Sequence, residues 1–393
     1  MAADLRRNGP WTLLAVLTIV RIAYGVQFQA VGAVGPAMVR DLGLAYASLG
    51  TLVGAYSLLG LVLALPAGWL TARLGDRRTV LAALGLMIAG GSMLAGAPGF
   101  DVALGGRIVS GAGAVLLMVS LPAIIMKHFT GAALPAAMGT LLAGFPIGIG
   151  LASAGLPVLG SWRMAMAATA ALCLVALIGA AIVLAGRSGR AVEARGRTRL
   201  GVGELMPVIA VGLVWGSLNA GFAALFGFAA VFFVGEGLSL RDAAALVSLT
   251  AFATVPLAPL GGWLLGRLRR PLLGIAGGLV AVSACVLVLA QGSPPAVPLI
   301  VFGLLLGAIA GPIVALPAAV LAPAHRAMGM GVFWTAFFVL MTVLPPLAGL
   351  ARDLTGAGAA PLYAAAAFIV LGLPALTGYA GLRRPIVMAA RVE

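Results

Sequence analysis

Residues 68–74 read Gly68-Trp69-Leu70-Thr71-Ala72-Arg73-Leu74, and 194 positions later residues 262–268 read Gly262-Trp263-Leu264-Leu265-Gly266-Arg267-Leu268. Each copy closes a long apolar run and leads into basic residues, Arg77 and Arg78 after the first and Arg269 and Arg270 after the second. Two more pairs keep the same order. Leu121-Pro122-Ala123 returns as Leu316-Pro317-Ala318 at an offset of 195, and Ala137-Met138-Gly139 returns as Ala327-Met328-Gly329 at an offset of 190. A single tripeptide means little in a chain so rich in Ala and Leu. Three in order at nearly one offset imply that the chain repeats itself once.

What lies between the repeated motifs sets the class. The chain has 393 residues, 62% hydrophobic and 9% charged, with a mean hydropathy of +1.16. A soluble globular chain carries about 25% charged residues, so a water-soluble fold of this size is excluded. Apolar runs of about 20 residues are each long enough to cross ~30 Å of hydrocarbon. The first half gives them at roughly 11–39, 46–72, 79–97, 102–126, 133–157 and 163–185. The second half gives roughly 205–234, 243–266, 271–291, 296–322, 328–350 and 361–382. This predicts an all-α membrane protein of twelve transmembrane helices in two pseudo-symmetric six-helix halves. The halves are residues 1–186 and 204–393, joined by a basic linker over 187–203. The connectors leave no room for a soluble catalytic domain. The first run is too long for a signal-peptide core and contains Arg21, so it reads as a retained span. Cys173 and Cys285 both lie inside apolar runs and frame neither a zinc site nor a disulfide scaffold.

The formal charge of +14 does not indicate nucleic acid, which would need an exposed basic face with groove-reading or stacking elements. The basic residues sit in short connectors, and they alternate. Arg6, Arg7, Arg73, Arg77, Arg78, Lys127, Arg187, Arg190, Arg195, Arg197, Arg199, Arg267, Arg269, Arg270, Arg326, Arg383, Arg384 and Arg391 fall on one side. The other side has mainly Arg40, Arg163, Arg241 and Arg352, three of them beside Asp41, Asp242 and Asp353. The positive-inside rule then puts both termini and the linker in the cytoplasm, in a cell inner (plasma) membrane.

The motifs resemble those of the major facilitator superfamily. Residues 68–78, GWLTARLGDRR, are similar to its G-x-L-x-D-R-x-G-R-R signature between spans 2 and 3, matched by Gly68, Leu70, Arg73, Gly75, Arg77 and Arg78. Ala72 stands where the family has Asp, with Asp76 one turn later, and the second copy has Gly266 there. Arg107-x-x-x-Gly111-x-Gly113-Ala114 resembles the span-4 arginine motif. Gly139-x4-Gly144-x-Pro146-x-Gly148 resembles a span-5 motif of exporters and antiporters, and Ser161-Trp162-Arg163 before span 6 also fits. The resemblance implies two halves rocking about a central cavity walled by spans 1, 4, 7 and 10. It gives Gly68, Arg73, Gly75, Asp76, Arg77, Arg107, Gly144, Pro146, Gly148 and Arg267 gating or structural roles. The stretch from Gln27 to Leu70 is similar to bacterial porters grouped with the cyanate and nitroimidazole transporters, which tilts the substrate toward small anions or small polar organics.

Charge inside the membrane narrows the chemistry. All ten acidic residues fall in connectors, termini or span ends, so no span centre holds a carboxylate. Arg21 stands ten residues beyond Trp11, roughly 15 Å along a helix and near mid-depth. An arginine there costs about 2.5–3.5 kcal/mol on insertion scales unless it faces the interior or water. Tyr24 and Phe28 share its helix face and Gln27 borders it. The 194-residue offset maps Arg21 onto Trp215, and Trp215, Asn219, Phe222 and Phe226 form a matching stripe in span 7. Trp334 and Phe337 in span 11 are further candidates for the cavity wall. Against this stands the reading that Arg21 ties helices together through carbonyls and that the aromatics only pack.

Two glycine patterns mislead. Gly111-Ala112-Gly113 and Gly148-Ile149-Gly150 evoke a dinucleotide fingerprint but follow no strand, and small residues at such spacing let membrane helices pack closely. No GxxxxGK[ST] phosphate loop occurs. The sequence therefore predicts a monomeric secondary or facilitative carrier in the lipid bilayer. It is not an enzyme, needs no cofactor or metal, and moves a small organic or inorganic anion by alternating access. Two alternatives stay open: a multidrug-type exporter of uncharged or cationic amphiphiles, and a non-transporting membrane receptor or scaffold.

Overall fold

The computed structural model describes residues 9–129, 133–185, 200–266, 270–322 and 325–389. Its α-helices run in the order α1 (Pro10–Ala33), α2 (Gly35–Leu42), α3 (Tyr46–Leu58), α4 (Gly60–Leu74), α5 (Asp76–Ala95), α6 (Phe100–His128), α7 (Ala133–Gly155) and α8 (Trp162–Val183). They continue as α9 (Val202–Gly235), α10 (Leu240–Gly266), α11 (Pro271–Ala290), α12 (Ala296–Ala315), α13 (Arg326–Thr355), α14 (Ala360–Val370) and α15 (Gly372–Ala389). Among the described residues, twelve stretches are long and apolar enough to cross a membrane. Span 1 is α1, span 2 is α3 with α4, spans 3 to 11 are α5 to α13, and span 12 is α14 with α15.

The expected first span, 11–39, is shorter than its apolar run. The helix breaks at Val34, which leaves helical geometry at φ −117°, and α2 restarts at Gly35. Pro36 lacks the N–H that would continue the ladder, and its ring crowds the carbonyl four residues back. Span 2, in contrast, runs on through the junction at Leu59, which keeps a right-handed helical conformation. At the basic end α4 stops on Gly75, whose φ of +77° suits glycine and disfavours side chains with a Cβ. Prolines stand inside many of the spans, among them Pro66, Pro122, Pro146, Pro207, Pro312 and the Pro345–Pro346 pair. Neighbouring helices can absorb such breaks in a membrane bundle.

Helices that are apolar on every side cannot be sorted by amphipathicity, so close backbone approach carries the packing. Spans 1 and 5 meet where a Cβ on Gly25 would strike the Phe145 carbonyl and one on Gly148 the Ile22 carbonyl. Spans 7 and 11 meet the same way, with Gly212 on the Phe333 carbonyl and Gly216 on Phe337. Spans 2 and 4 meet at Gly111 on the Tyr56 carbonyl, and spans 8 and 10 at Gly303 on the Thr250 carbonyl. Tyr56 and Thr250 are 194 residues apart. The internal repeat is thus a repeat of contacts.

The first six spans meet the last six mainly at the end remote from the basic connectors, here called the far end. Gly50 and Gly54 of span 2 lie against Pro345 and Thr342 of span 11, and Gly349 lies against Tyr46. Gly32 of span 1 lies against Phe226 of span 7, and Gly150 of span 5 receives the ring of Phe252 from span 8. Deeper in, the ring of Phe338 in span 11 lies over Gly60 of span 2.

Candidate functional site

Arg21 is 9% exposed. Its guanidinium carbon sits 4.9 Å from the ring centroid of Tyr24 and 5.2 Å from that of Phe145. Its Nε and Nη1 are buried and meet no acceptor. Aromatic faces stabilise a cation through their quadrupoles, yet they accept no full hydrogen bond, so two strong donors are left open. The rings form one cluster. Tyr24 and Phe145 are 5.0 Å apart, Phe28 and Phe145 5.4 Å, Phe28 and Tyr56 5.8 Å, and Tyr24 stacks on Tyr56 at 6.1 Å. Span 5 brings Phe145 there because its neighbours are small. A Cβ on Gly144 would stand 3.0 Å from the Thr18 carbonyl and 3.1 Å from the Arg21 Cβ. Gly148 seats the same helix one turn further on. Pro146 lies between them inside α7, and its missing N–H frees the carbonyl of Leu142.

Arg107 is fully buried, and each of its three guanidinium nitrogens meets a carbonyl. Its Nε donates to the Leu52 carbonyl at 2.8 Å, Nη1 to the Gln27 carbonyl at 2.9 Å and Nη2 to the Phe28 carbonyl at 3.3 Å. Its guanidinium also lies 4.3 Å from the Tyr56 ring centroid. The side chain ties span 4 to spans 1 and 2, beneath the aromatic cluster. Gln27, expected to face the substrate, is turned toward span 3 instead. Its Nε2 donates to the Met87 carbonyl at 2.8 Å, and its Oε1 accepts from the Tyr56 hydroxyl at 3.4 Å. A residue bordering the Arg21 face is rotated by a turn fraction that is enough to send it into the bundle.

In the second half the span-7 stripe divides. Trp215 stacks on Phe337 at 6.5 Å, and Trp334 meets Phe337 edge-on at 5.3 Å. The rings of Phe333 and Phe338 extend this wall on either side. The Trp215 indole nitrogen is buried without an acceptor. Asn219 turns its amide back onto its own helix, donating to the Trp215 carbonyl at 2.8 Å. Phe222 and Phe226, 4.2 Å apart, pack instead toward span 10 and span 1: Phe222 stacks on Phe302, and the Phe226 carbonyl accepts from Gln29 at 3.1 Å. Among the described residues no ring contact joins the Arg21 cluster to the Trp215 wall.

Sequence reasoning missed Tyr56, Phe145 and Gln29. Phe145 was legible in principle, because it stands inside the Gly144–Pro146 motif. Tyr56 and Gln29 are polar interruptions of apolar runs, the same signal that marked Arg21.

At the basic end, Asp76 begins α5, is buried, and accepts from Lys127 at 2.7 Å. Arg73 and Arg77 are exposed there, and Gly68 lies within α4. Arg267 lies outside the described residues. Glu204 accepts from His325 Nδ1 at 2.5 Å and from the Ala322 N–H at 3.0 Å. At the far end the Asp353 carboxylate crosses between the halves, accepting from the backbone N–H groups of Tyr46 at 2.9 Å and Ala47 at 2.7 Å. These are free donors at the start of α3, where a negative charge also meets the positive end of the helix dipole. Arg352 lies beside it, 4.0 Å from the Tyr46 ring centroid. Among the described residues no three His, Cys, Asp or Glu side chains gather as metal ligands would.

The Major Facilitator Superfamily sequence profile matches residues 17–345. The chain belongs to the major facilitator superfamily. Comparison with curated proteins returns no match. Solved structures agree on the fold. A bacterial homolog of the human lysosomal transporter Spinster, in an inward-facing and occupied conformation, matches with a TM-score of 0.69 at 17% identity, over 95% of this chain and 96% of that one. A peptide transporter POT in complex with sulfate matches with a TM-score of 0.75 at 16% identity, over 95% of each chain. This superfamily member is a multi-pass membrane protein, a secondary transporter of small solutes and not an enzyme.

Proposed function

We propose that the chain carries a small anion across the cell inner membrane by alternating access, with Arg21 as the anion site. The observation that carries this reading is a guanidinium inside span 1 with two buried nitrogens, Nε and Nη1, that no acceptor meets. The planar fork of arginine suits a carboxylate or oxyanion, which can take two parallel hydrogen bonds. The buried side-chain atoms without a partner among the described residues are the Arg21 and Trp215 nitrogens, which only donate, and the hydroxyls of Thr18, Ser120, Ser153, Thr250 and Thr342, which can donate or accept. A ligand that supplies acceptors matches that pattern. An exporter of cationic amphiphiles finds support in the aromatic wall of Trp215, Trp334 and Phe337, but a cation would meet Arg21 with no carboxylate to offset it. The described acids all lie at helix ends: Asp41, Asp76, Asp101, Glu204, Glu236, Asp242 and Asp353.

In this reading both termini are cytoplasmic, because the basic connectors lie on their side. The far end then faces outward and is closed. Residues 1–186 and 204–393 rock as two bodies of a monomer about the midplane site. Opening outward breaks the Asp353 cap on α3, the Gln29 bond to Phe226 and the glycine contacts of spans 2 and 11. Flux of small anions into liposomes, compared between parent and Arg21→Gln, tests the proposal. Arg21-dependent flux is expected, and flux of an anion unchanged in the variant contradicts it.

A further inference from the structure

The same site narrows the class of anion, and this step rests on the reading of Arg21 above. We propose that the ligand is a monocarboxylate with a flat apolar body, its carboxylate on Arg21 of the first half and its body against Trp215 and Phe337 of the second.

Charge sets the valence. Arg107, the other arginine deep in the bundle, gives its donors to three carbonyls. The other described cations belong to span ends, among them Lys127, His128, Arg163, His325 and Arg352. A second carboxylate or a doubly charged phosphate would therefore be buried with one charge unmatched, which is strongly unfavourable. The ammonium of an amino acid fares no better, because no described acid lies away from a helix end.

The body of the ligand follows from what surrounds the cation. Hydroxyl-rich solutes are read by side-chain amides and carboxylates, and here both amides of the site are committed. Gln27 serves Met87 and Tyr56, and Asn219 serves its own helix. Rings surround both repeat-related positions: Tyr24 and Phe145 lie beside Arg21, and Phe337 lies beside Trp215. Trp215 stands at the repeat position of Arg21, and positions related by the two-fold of such carriers lie across the cavity at one depth. Its unpartnered indole N–H adds a donor on the far side of the carboxylate or for a second acceptor on the body. A ligand held this way touches one half through charge and the other through rings, so its binding draws the halves together.

The test is a binding panel on the purified full-length carrier in detergent, using benzoate, acetate, nitrate, succinate, phenylalanine, benzylamine and benzamide. Benzoate should bind about tenfold or more tighter than acetate, since the added ring removes apolar surface from water. Succinate and phenylalanine should bind no tighter than acetate, and benzylamine and benzamide should not compete. Trp215→Ala should weaken benzoate more than acetate and so narrow the ratio between the two affinities. Acetate or nitrate binding as tightly as benzoate, with both lost in Arg21→Gln, would overturn the apolar body while the anion site stands. Benzylamine or benzamide matching benzoate, benzoate binding unaltered in folded Arg21→Gln, or no binding by any compound would overturn the anion site as well.

Discussion

Arg21 and Trp215 stand 194 residues apart at one place in spans 1 and 7, and Arg107 and Phe302 stand 195 apart at one place in spans 4 and 10. Arg107 holds the carbonyl of Phe28, while Phe302 stacks on Phe222, which the 194-residue offset pairs with Phe28. Both junctions fasten the fourth span of a half to its first. The first half does so with a cation and carbonyls, the second with rings. Where the job is only fastening, either chemistry serves, and every guanidinium nitrogen of Arg107 is already on a carbonyl. Arg21 has the opposite status: the second half fills its place with an indole, and packing alone gives no reason for a charge. An arginine that costs free energy and is met by rings with no carbonyl or carboxylate on its Nε and Nη1 is the one to suspect of binding.

The comparison predicts opposite stability effects for the two arginines. Arg107→Met should be the most damaging single change, losing three charge-assisted bonds to buried carbonyls at about 3–5 kcal/mol. A large fall in melting temperature, or no folded yield, is expected. Phe302→Leu should fall short of that, and equal losses at both sites would undo the distinction. Arg21→Met removes a buried charge with open donors, so its unliganded melting temperature should stay level or rise.

Next in size is Gly148→Ala. Its methyl would collide with the Ile22 carbonyl, and overpacking of that kind costs about 1–3 kcal/mol. Because span 5 carries Phe145 onto Arg21, ligand affinity should fall along with stability. Gly139→Ala, where a methyl meets open space, is the control and should alter neither.

A smaller effect is expected at the far end. Asp353→Asn keeps the shape of the cap on α3 but weakens its charge, a change of about 0.5–2 kcal/mol by analogy with other helix caps. Single cysteines placed on spans 2 and 11 near Tyr46 should be labelled faster from outside in this variant. Equal labelling in parent and variant would show that the cap does not hold this end closed. The smallest effect is on pH. The site's ionisable groups are arginine and tyrosines, whose ordinary pKa values lie at about 10 or above, so affinity for a strong-acid anion should stay flat between about pH 6 and 8. A marked slope in a variant lacking both His128 and His325 would reveal another titrating group.

How much of this could be read from the sequence follows from the physics of each signal. Span number and the repeated halves were legible, because length and hydropathy report on crossing a membrane and the motif at 68–74 returns at 262–268. Arg21 was legible because charge in an apolar run is expensive. The break at Val34 was overlooked in a continuous apolar run, although Gly35-Pro36 marks it. Side-chain direction was the least accessible. In helices apolar all round, periodicity gives no inner face, so Gln27 was assigned to the cavity while its amide serves span 3. The Phe222 and Phe226 pair fell to the same ambiguity. Asp353 could not have been found from its own neighbourhood, because its partners lie 306 and 307 residues away in sequence.

The central claim is that Arg21 is free because it waits for an anion, and one measurement addresses it most directly. Benzoate affinity is determined for the purified parent, Arg21→Gln and Arg21→Lys, with the unliganded melting temperature recorded for each. Hydrogen bonds to a charged group contribute about 1.5–3 kcal/mol, so Arg21→Gln should bind about ten- to a hundredfold more weakly at undiminished stability. Arg21→Lys should recover only part of the loss, since it keeps the charge and loses the fork. Parent-like affinity in a stably folded Arg21→Gln would contradict the account and leave Arg21 a packing residue.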